Sequence, residues 1–302
     1  KMDVLQSLNL KEVRIKGITE YSNDEIPSYA MKEKKTLIHL VLPDKLRAIE
    51  HYAFYACSSL VGSLYIPEGV YQISYDAFRG CVSLTGSLHL PSTLEIIGDG
   101  AFVGCSFTCE LLLPSNLKRI GNNSFNGCNN LYGELHLPNQ LSYLGEWAFS
   151  GCSSLSGSLS IPTTITKILS TTFEYCGFNG TLTLHDGITI IGNQAFYNCH
   201  FKGDLILPKE LTIIESGTFA GCNFSGELKL PSKLEVINAH AFSGNQRLSG
   251  ILEIPSNIIS IGSGAFYGCS SLEGIILPEN IENIRDAAFA GCWSIGSIVC
   301  KS

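Results

Sequence analysis

LYGELHLPNQLSYLGEWAFSGC, residues 131–152, is the unit from which the chain is built, because the same pattern returns every 23 or 24 positions. Its anchor is Phe149. The phenylalanine recurs as Phe54, Phe78, Phe102, Phe125, Phe173, Phe196, Phe219, Phe242, Phe266 and Phe289, eleven copies in all. Eleven residues before each stands a proline, Pro138 in the quoted unit, with His185 taking its place once, before Phe196. Three residues after the phenylalanine comes a cysteine in ten of the eleven copies, and Asn245 in the other. A fixed period of this length marks a repeat solenoid, in which each rung packs only on its neighbours.

Within the unit the run before the proline alternates, as in Leu135-His136-Leu137, Leu88-His89-Leu90 and Leu159-Ser160-Ile161. Period two predicts a strand with its leucines inward. The proline closes that strand, where its missing N–H is tolerated. Apolar residues three and six positions past the proline, such as Leu141 and Leu144, predict an opposite wall made of short turns or a second short strand. Gly-x-x-Ala-Phe then turns the chain, the small alanine admitting close packing and the ring filling the interior. Burying each such ring is worth about 1.5–3 kcal/mol, so the phenylalanines form a structural ladder. The one-residue difference between units falls in the return after the cysteine: CSSLSGSLSIP at 152–162 against CNFSGELKLP at 222–231.

Projected backwards, the ladder reaches the irregular first 35 residues. Ala30-Met31 stands in for Ala-Phe, Ile26 falls where Ile49 and Ile73 fall, and Val13, Ile15 and Ile18 have the apolar spacing of a worn strand. Residues 1–35 are expected to be a degenerate N-terminal capping rung, with MKEKK at 31–35 a solvated turn. The array is expected to run over 36–302 as a single continuous domain. A composition of 45% hydrophobic and 16% charged residues supports a continuous core and excludes disorder. The net charge of −7, with no basic run, lacks the footprint of a nucleic-acid binder or of a protein held on an anionic membrane. No apolar run approaches the roughly 18 residues of a transmembrane helix, so no membrane insertion by this chain is expected.

The unit L-x-G-x-L-x-I/L-P-x-x-L/I-x-x-I-G-x-x-A-F-x-G-C resembles the BspA-type leucine-rich repeat of bacterial and some protozoan cell surfaces, over residues 36–300. The resemblance implies a curved, right-handed leucine-rich repeat solenoid of the α/β-type class but mostly β, with a parallel sheet on its concave face. Counting the degenerate first rung, the array has about 12 rungs. The resemblance also implies adhesion to host or microbial proteins, extracellularly or at a cell surface, and not catalysis. Departures from the pattern are His185 for proline, Ser124, Thr172 and Thr218 for alanine, Asn245 for cysteine, and Cys109 where Gly62, Gly86 and Gly133 sit.

Ten of the twelve cysteines share one rung position, which raises disulfide and metal readings. Neighbours at strand spacing, roughly 4.8 Å, come near disulfide range, but a ladder of identical side chains points in parallel and not face to face. Asn245 sharpens the choice, because asparagine can replace a thiol that donates to a turn carbonyl but cannot replace half of a disulfide. A reduced structural ladder is expected, with the off-ladder Cys109 and Cys300 as the reactive thiols. Neither a C-x-x-C pair nor a Cys/His cluster at zinc spacing occurs, so no metal or cofactor is expected. Phosphate-loop, nucleophile-elbow and H-E-x-x-H motifs are likewise absent from the sequence, and no enzyme is expected.

What remains is surface. The outward row in the proline-side strands begins Tyr65, His89, Leu112, His136, flanked two residues earlier by Glu110 and Glu134. His89 and His136 stand two rungs apart, about 9–10 Å, too far to share a metal ion. Aromatic, imidazole and apolar groups beside acids suit protein recognition, although an ordinary solvated sheet face explains the row equally well. On the turns, Tyr52, Tyr75 and Trp147 take positions otherwise held by Gly, Asn, Ser or Asp. Trp147 either covers a neighbouring glycine or marks a binding spot. The leading expectation is a monomeric, non-enzymatic surface or secreted protein that binds a protein ligand through its concave face. A glycan binder that uses the exposed aromatics is the alternative.

Overall fold

The computed structural model describes residues 6–10 and 24–301, so Val13, Ile15 and Ile18 lie outside the described residues. The chain forms two compact units, residues 1–155 and 156–302. Each is a parallel-strand β-solenoid, about 12 turns in all, and no helix occurs among the described residues.

In the first unit, six two-residue strands past the proline position join in rung order. They are Glu25–Ile26, Ala48–Ile49, Gln72–Ile73, Ile96–Ile97, Arg119–Ile120 and Tyr143–Leu144. The register sets Ile26, Ile49, Ile73, Ile97, Ile120 and Leu144 in one buried column. The continuous sheet of this unit is thus the wall past the proline. The proline-side strands pair only locally, Leu64–Tyr65 with Leu88–His89. Pro27, Glu50 and Ser74 follow the first three column residues, but Gly98, Gly121 and Gly145 follow the last three, for a steric reason. A β-carbon on Gly121 would lie 2.4 Å from Asp99 N, and one on Gly145 would lie 2.4 Å from Asn122 N, so only glycine lets adjacent rungs touch backbone to backbone. Met31 takes the ladder place foreseen for it, its N–H donating to Ala53 O.

In the second unit the same wall pairs Lys167–Ile168 with Ile190–Ile191 and joins Ile213–Ile214, Val236–Ile237, Ser260–Ile261 and Asn283–Ile284. Its proline-side strands lengthen toward the C-terminus, to Arg247–Glu253 and Leu272–Leu277. His185 fills the proline site by hydrogen bonding: Nε2 lies 3.1 Å from Pro162 O and 3.0 Å from Ile165 O, while Nδ1 accepts Gly187 N–H.

Ten of the eleven ladder phenylalanines are buried and Phe289 is half-buried, and the rings stack at 5.1 to 5.8 Å in the first unit and 5.2 to 5.7 Å in the second. A second aromatic series was not foreseen. Phe107, Phe178, Phe201 and Phe224 are also fully buried, two residues past a ladder cysteine, each in a return of the shorter kind. Longer returns bury a leucine one position later, such as Leu60, Leu84 and Leu131. In the second unit Phe178, Phe201 and Phe224 stack at 5.3 and 5.9 Å.

The turns are a third line of inter-rung bonding. Two residues before each ladder phenylalanine the backbone is left-handed, and the residue is often not glycine: Tyr52, Asp76, Asn123 and Trp147 in the first unit, Gln194 and His240 in the second. Such a conformation costs roughly 1–2 kcal/mol for a residue with a β-carbon. It is held by hydrogen bonds: Tyr52, Phe54 and Ala56 donate N–H to Tyr75, Ala77 and Arg79 carbonyls at 2.9, 2.8 and 2.7 Å.

The cysteines line this edge. Cys57, Cys81, Cys105, Cys128 and Cys152 each donate Sγ–H to the carbonyl of the ladder residue one rung back, Met31, Phe54, Phe78, Phe102 and Phe125, at 3.0 to 3.3 Å. Cys199, Cys222, Cys269 and Cys292 do the same in the second unit. Asn245 repeats the bond with Nδ2, 2.8 Å from Phe219 O, the role foreseen for it. One expectation fails. Cys109 is buried, its sulfur accepting Leu88 N–H at 3.4 Å, because the chain folds that position inward; of the two off-ladder thiols only Cys300 is exposed. In native protein Cys300 is therefore expected to label fast, Cys292 more slowly, and the others only on unfolding. Peptide mass spectrometry after timed alkylation checks this, and fast native labelling of Cys109 would contradict it.

Candidate functional site

The proline-side row of the first unit starts from the pairing of Leu64 with Leu88 and Tyr65 with His89. The leucines are buried, so alternation sends both neighbours out. Tyr65 is 64% exposed, and its ring lies 5.7 Å from that of His89, tilted by 43°. Leu112 is as open, at 65%. Glu134 and His136 alternate onto one face, Oε2 to Nε2 at 3.9 Å, both well exposed, so this ion pair forms only with protonated imidazole and adds little stability.

The structure joins Tyr65 to His89 and Glu134 to His136, but it does not extend one regular strand ladder through all four rungs. Glu110 bridges to Tyr132, and the left-handed Gly133 that follows packs against the Glu110 side chain. Tyr132, 51% exposed, thus enters this row. Sequence reading missed it because the local register differs from the 24-residue count. Trp147 does not belong to the row: it sits on a turn, at one of the left-handed positions, 39% exposed.

A second surface group lies at the N-terminal turns of the same unit. Tyr29 stacks on Tyr52 at 5.0 Å, and Tyr52 meets Tyr55 and Tyr75 edge-on at 5.5 and 5.1 Å. Lys32 Nζ stands 5.4 to 5.5 Å from the rings of Tyr29, Tyr52 and Tyr55. The segment at 31–35 is therefore not simply a solvated turn, since its first lysine packs onto aromatic faces. Tyr29 occupies in the Met31 rung the place Tyr52 holds before Phe54, and Tyr55 directly follows Phe54, so neither lies among the outward strand positions that alternation picks out.

Among the described residues no group of three His, Cys, Asp or Glu could hold a metal ion, and no helix is long and apolar enough to cross a membrane.

Comparison with known proteins gives one family. That described as the BspA type leucine-rich repeat region matches in six copies, over residues 24–156, 132–249 and 250–302. Among solved structures, a leucine-rich repeat protein from Bacteroides ovatus superposes with a TM-score of 0.68 at 23% identity, covering 97% of this chain and 86% of its own. A leucine-rich cell surface protein from Faecalibacterium prausnitzii gives 0.51 at 22%, covering 99% and 83%. The pneumococcal vaccine antigen PcpA gives 0.54 at 19%, covering 93% and 75%. At these identities they share the fold. No curated protein matches the chain in sequence.

Proposed function

This chain belongs to the BspA-type leucine-rich repeat family, and from that premise we propose that it is a non-enzymatic module, at a cell surface or secreted, that binds a protein ligand. The observation that supports this is the row of Tyr65, His89 and Leu112, large side chains held outward, the first two on a hydrogen-bonded strand pair. Frame rigidity keeps the ordering cost of association low, and exposed aromatics carry much of the energy in such interfaces. Glu110, Glu134 and His136 supply the polar rim, and Tyr132 extends it.

The test is a binding titration against host extracellular-matrix and plasma proteins. Replacing Tyr65, Leu112 and His136 together with serine is expected to weaken binding by several kcal/mol, about a hundredfold or more, with the melting temperature nearly unchanged. A Trp147→Ser control is expected to bind like the parent. Loss in the control with full affinity in the triple variant would move the site to the turns.

A further inference from the structure

In the second unit the turn edge of three consecutive rungs, those of Phe196, Phe219 and Phe242, is cut by a trench of about 720 Å³. Its floor is the middle rung, where both left-handed positions are glycine, Gly217 and Gly221, and Ala220 lies between them. The rung before supplies one wall. A β-carbon on Gly217 would meet Gln194 Cγ at 3.1 Å, and one on Gly221 would lie 2.0 Å from Asn198 Oδ1, so both amide side chains lean onto the floor. The rung after supplies Ser243 and His240. The His240 ring leans the other way, Cε1 lying 2.5 Å from where a β-carbon on Gly264 would stand, which leaves that side open.

The chemistry of the trench is uncharged. Asp, Glu, Lys and Arg are all missing from its lining, which is made of amides and hydroxyls with the Tyr197 ring and His240. Phosphates and carboxylates find no cation here. Peptide strands find no edge, because the backbone is already used: Gln194, Phe196 and Asn198 donate N–H to Ser216, Thr218 and Ala220 carbonyls at 2.8 to 3.0 Å, and Gly217, Phe219 and Gly221 donate to Ala239, Ala241 and Ser243 at 2.7 to 2.9 Å. What remains to recognise a ligand is side-chain amide and hydroxyl, each able to donate and accept. Asn193 spends Oδ1 on Ser216 N–H, so its NH2 is left to donate. Tyr197, set edge-on to Tyr175 at 5.3 Å, adds an aromatic surface against which C–H groups can pack.

We propose that this trench binds a neutral oligosaccharide. Sugar hydroxyls match the paired donor and acceptor capacity of Gln194 and Ser243 and the Oδ1 acceptor of Asn198, whose amide is also bonded to the Tyr175 hydroxyl, and the apolar face of a pyranose matches Tyr197. The inference is independent of the protein-binding reading, since it concerns another unit and the turn edge.

The experiment is an array of neutral oligosaccharides built from hexoses and N-acetylhexosamines, with acidic sugars alongside, followed by calorimetric titration of the strongest hit. Tyr197→Ala combined with Gln194→Ala is expected to weaken binding at least about tenfold. Ser243→Arg, which narrows the trench from the opposite wall, is expected to do the same. Tyr267→Ala, exposed on the turn of the Phe266 rung, serves as control and is expected to bind like the parent, and all variants are to melt like it. Absence of any neutral hit, hits confined to acidic sugars, unchanged affinity in both trench variants, or equal loss in the Tyr267 control would overturn the assignment.

Discussion

Under reducing conditions, stability is expected to collapse as the pH is raised from about 9 to 11. The cause is the cysteine ladder. Burial pushes the Cys57 thiol up from 9.0 to about 11 and the Cys128 thiol up to about 12, and raises Cys81, Cys105 and Cys152 as well. The folded chain then keeps protons that the unfolded chain releases. Stability from this source is complete below about pH 9 and is lost as pH rises above it, at roughly 1.4 kcal/mol per pH unit for each thiol. Five such thiols in the first unit give a slope of roughly 7 kcal/mol per pH unit, against a typical total of about 5–15 kcal/mol. Cys199, Cys222 and Cys269 act likewise in the second unit, with a shallower slope. Circular dichroism during denaturant titrations at stepped pH measures the slope, and replacing Cys105 and Cys128 with alanine is expected to flatten it. A curve level from about pH 8.5 to 10.5 would show that the thiols do not stay protonated inside.

Phe125→Ala is expected to cost about 3–5 kcal/mol. Its ring lies between those of Phe102 and Phe149, 5.3 Å from each, so its removal opens a void with two stacked faces lost. Gly145→Ala adds one carbon, yet that carbon would stand 2.4 Å from Asn122 N and 2.5 Å from Gly121 C. Backbone cannot rotate away as a side chain can, so about 1–3 kcal/mol is expected from this small change. Urea titrations compare the two variants with the parent. A Phe125→Ala midpoint equal to the parent's would show that the ring column is not the core.

The period was readable in the sequence because the phenylalanine, proline and cysteine each answer to one packing need that repeats. The left-handed turn positions were not, since Tyr52, Asp76, Trp147, Gln194 and His240 have β-carbons and give no glycine signal; neighbouring rungs impose that conformation through hydrogen bonds. The same limit applies to the candidate site. Alternation alone put Tyr65 and His89 outward, but the pairing of Glu110 with Tyr132 depends on a local change of register at Gly133. Cys109 was misread because leaving the ladder suggested leaving the core.

Returns of two lengths also restrict how such a chain can be edited. Phe178, Phe201 and Phe224 stack on one another and meet Phe173, Phe196 and Phe219 edge-on at 6.0, 6.0 and 6.1 Å, so these three consecutive returns share a packing code, while the equally short return at 269–278 buries Leu272 instead. A long-return unit transplanted among them would set a leucine, one residue out of step, against two rings. Unequal crossing-over between copies, or deliberate grafting of a new recognition module, should therefore survive when donor and acceptor returns bury the same residue type at the same place. The segment from 176 to 231 would accept Phe-bearing cassettes and reject the more numerous leucine type, so the array is a sentence with agreement rules and not a string of interchangeable words.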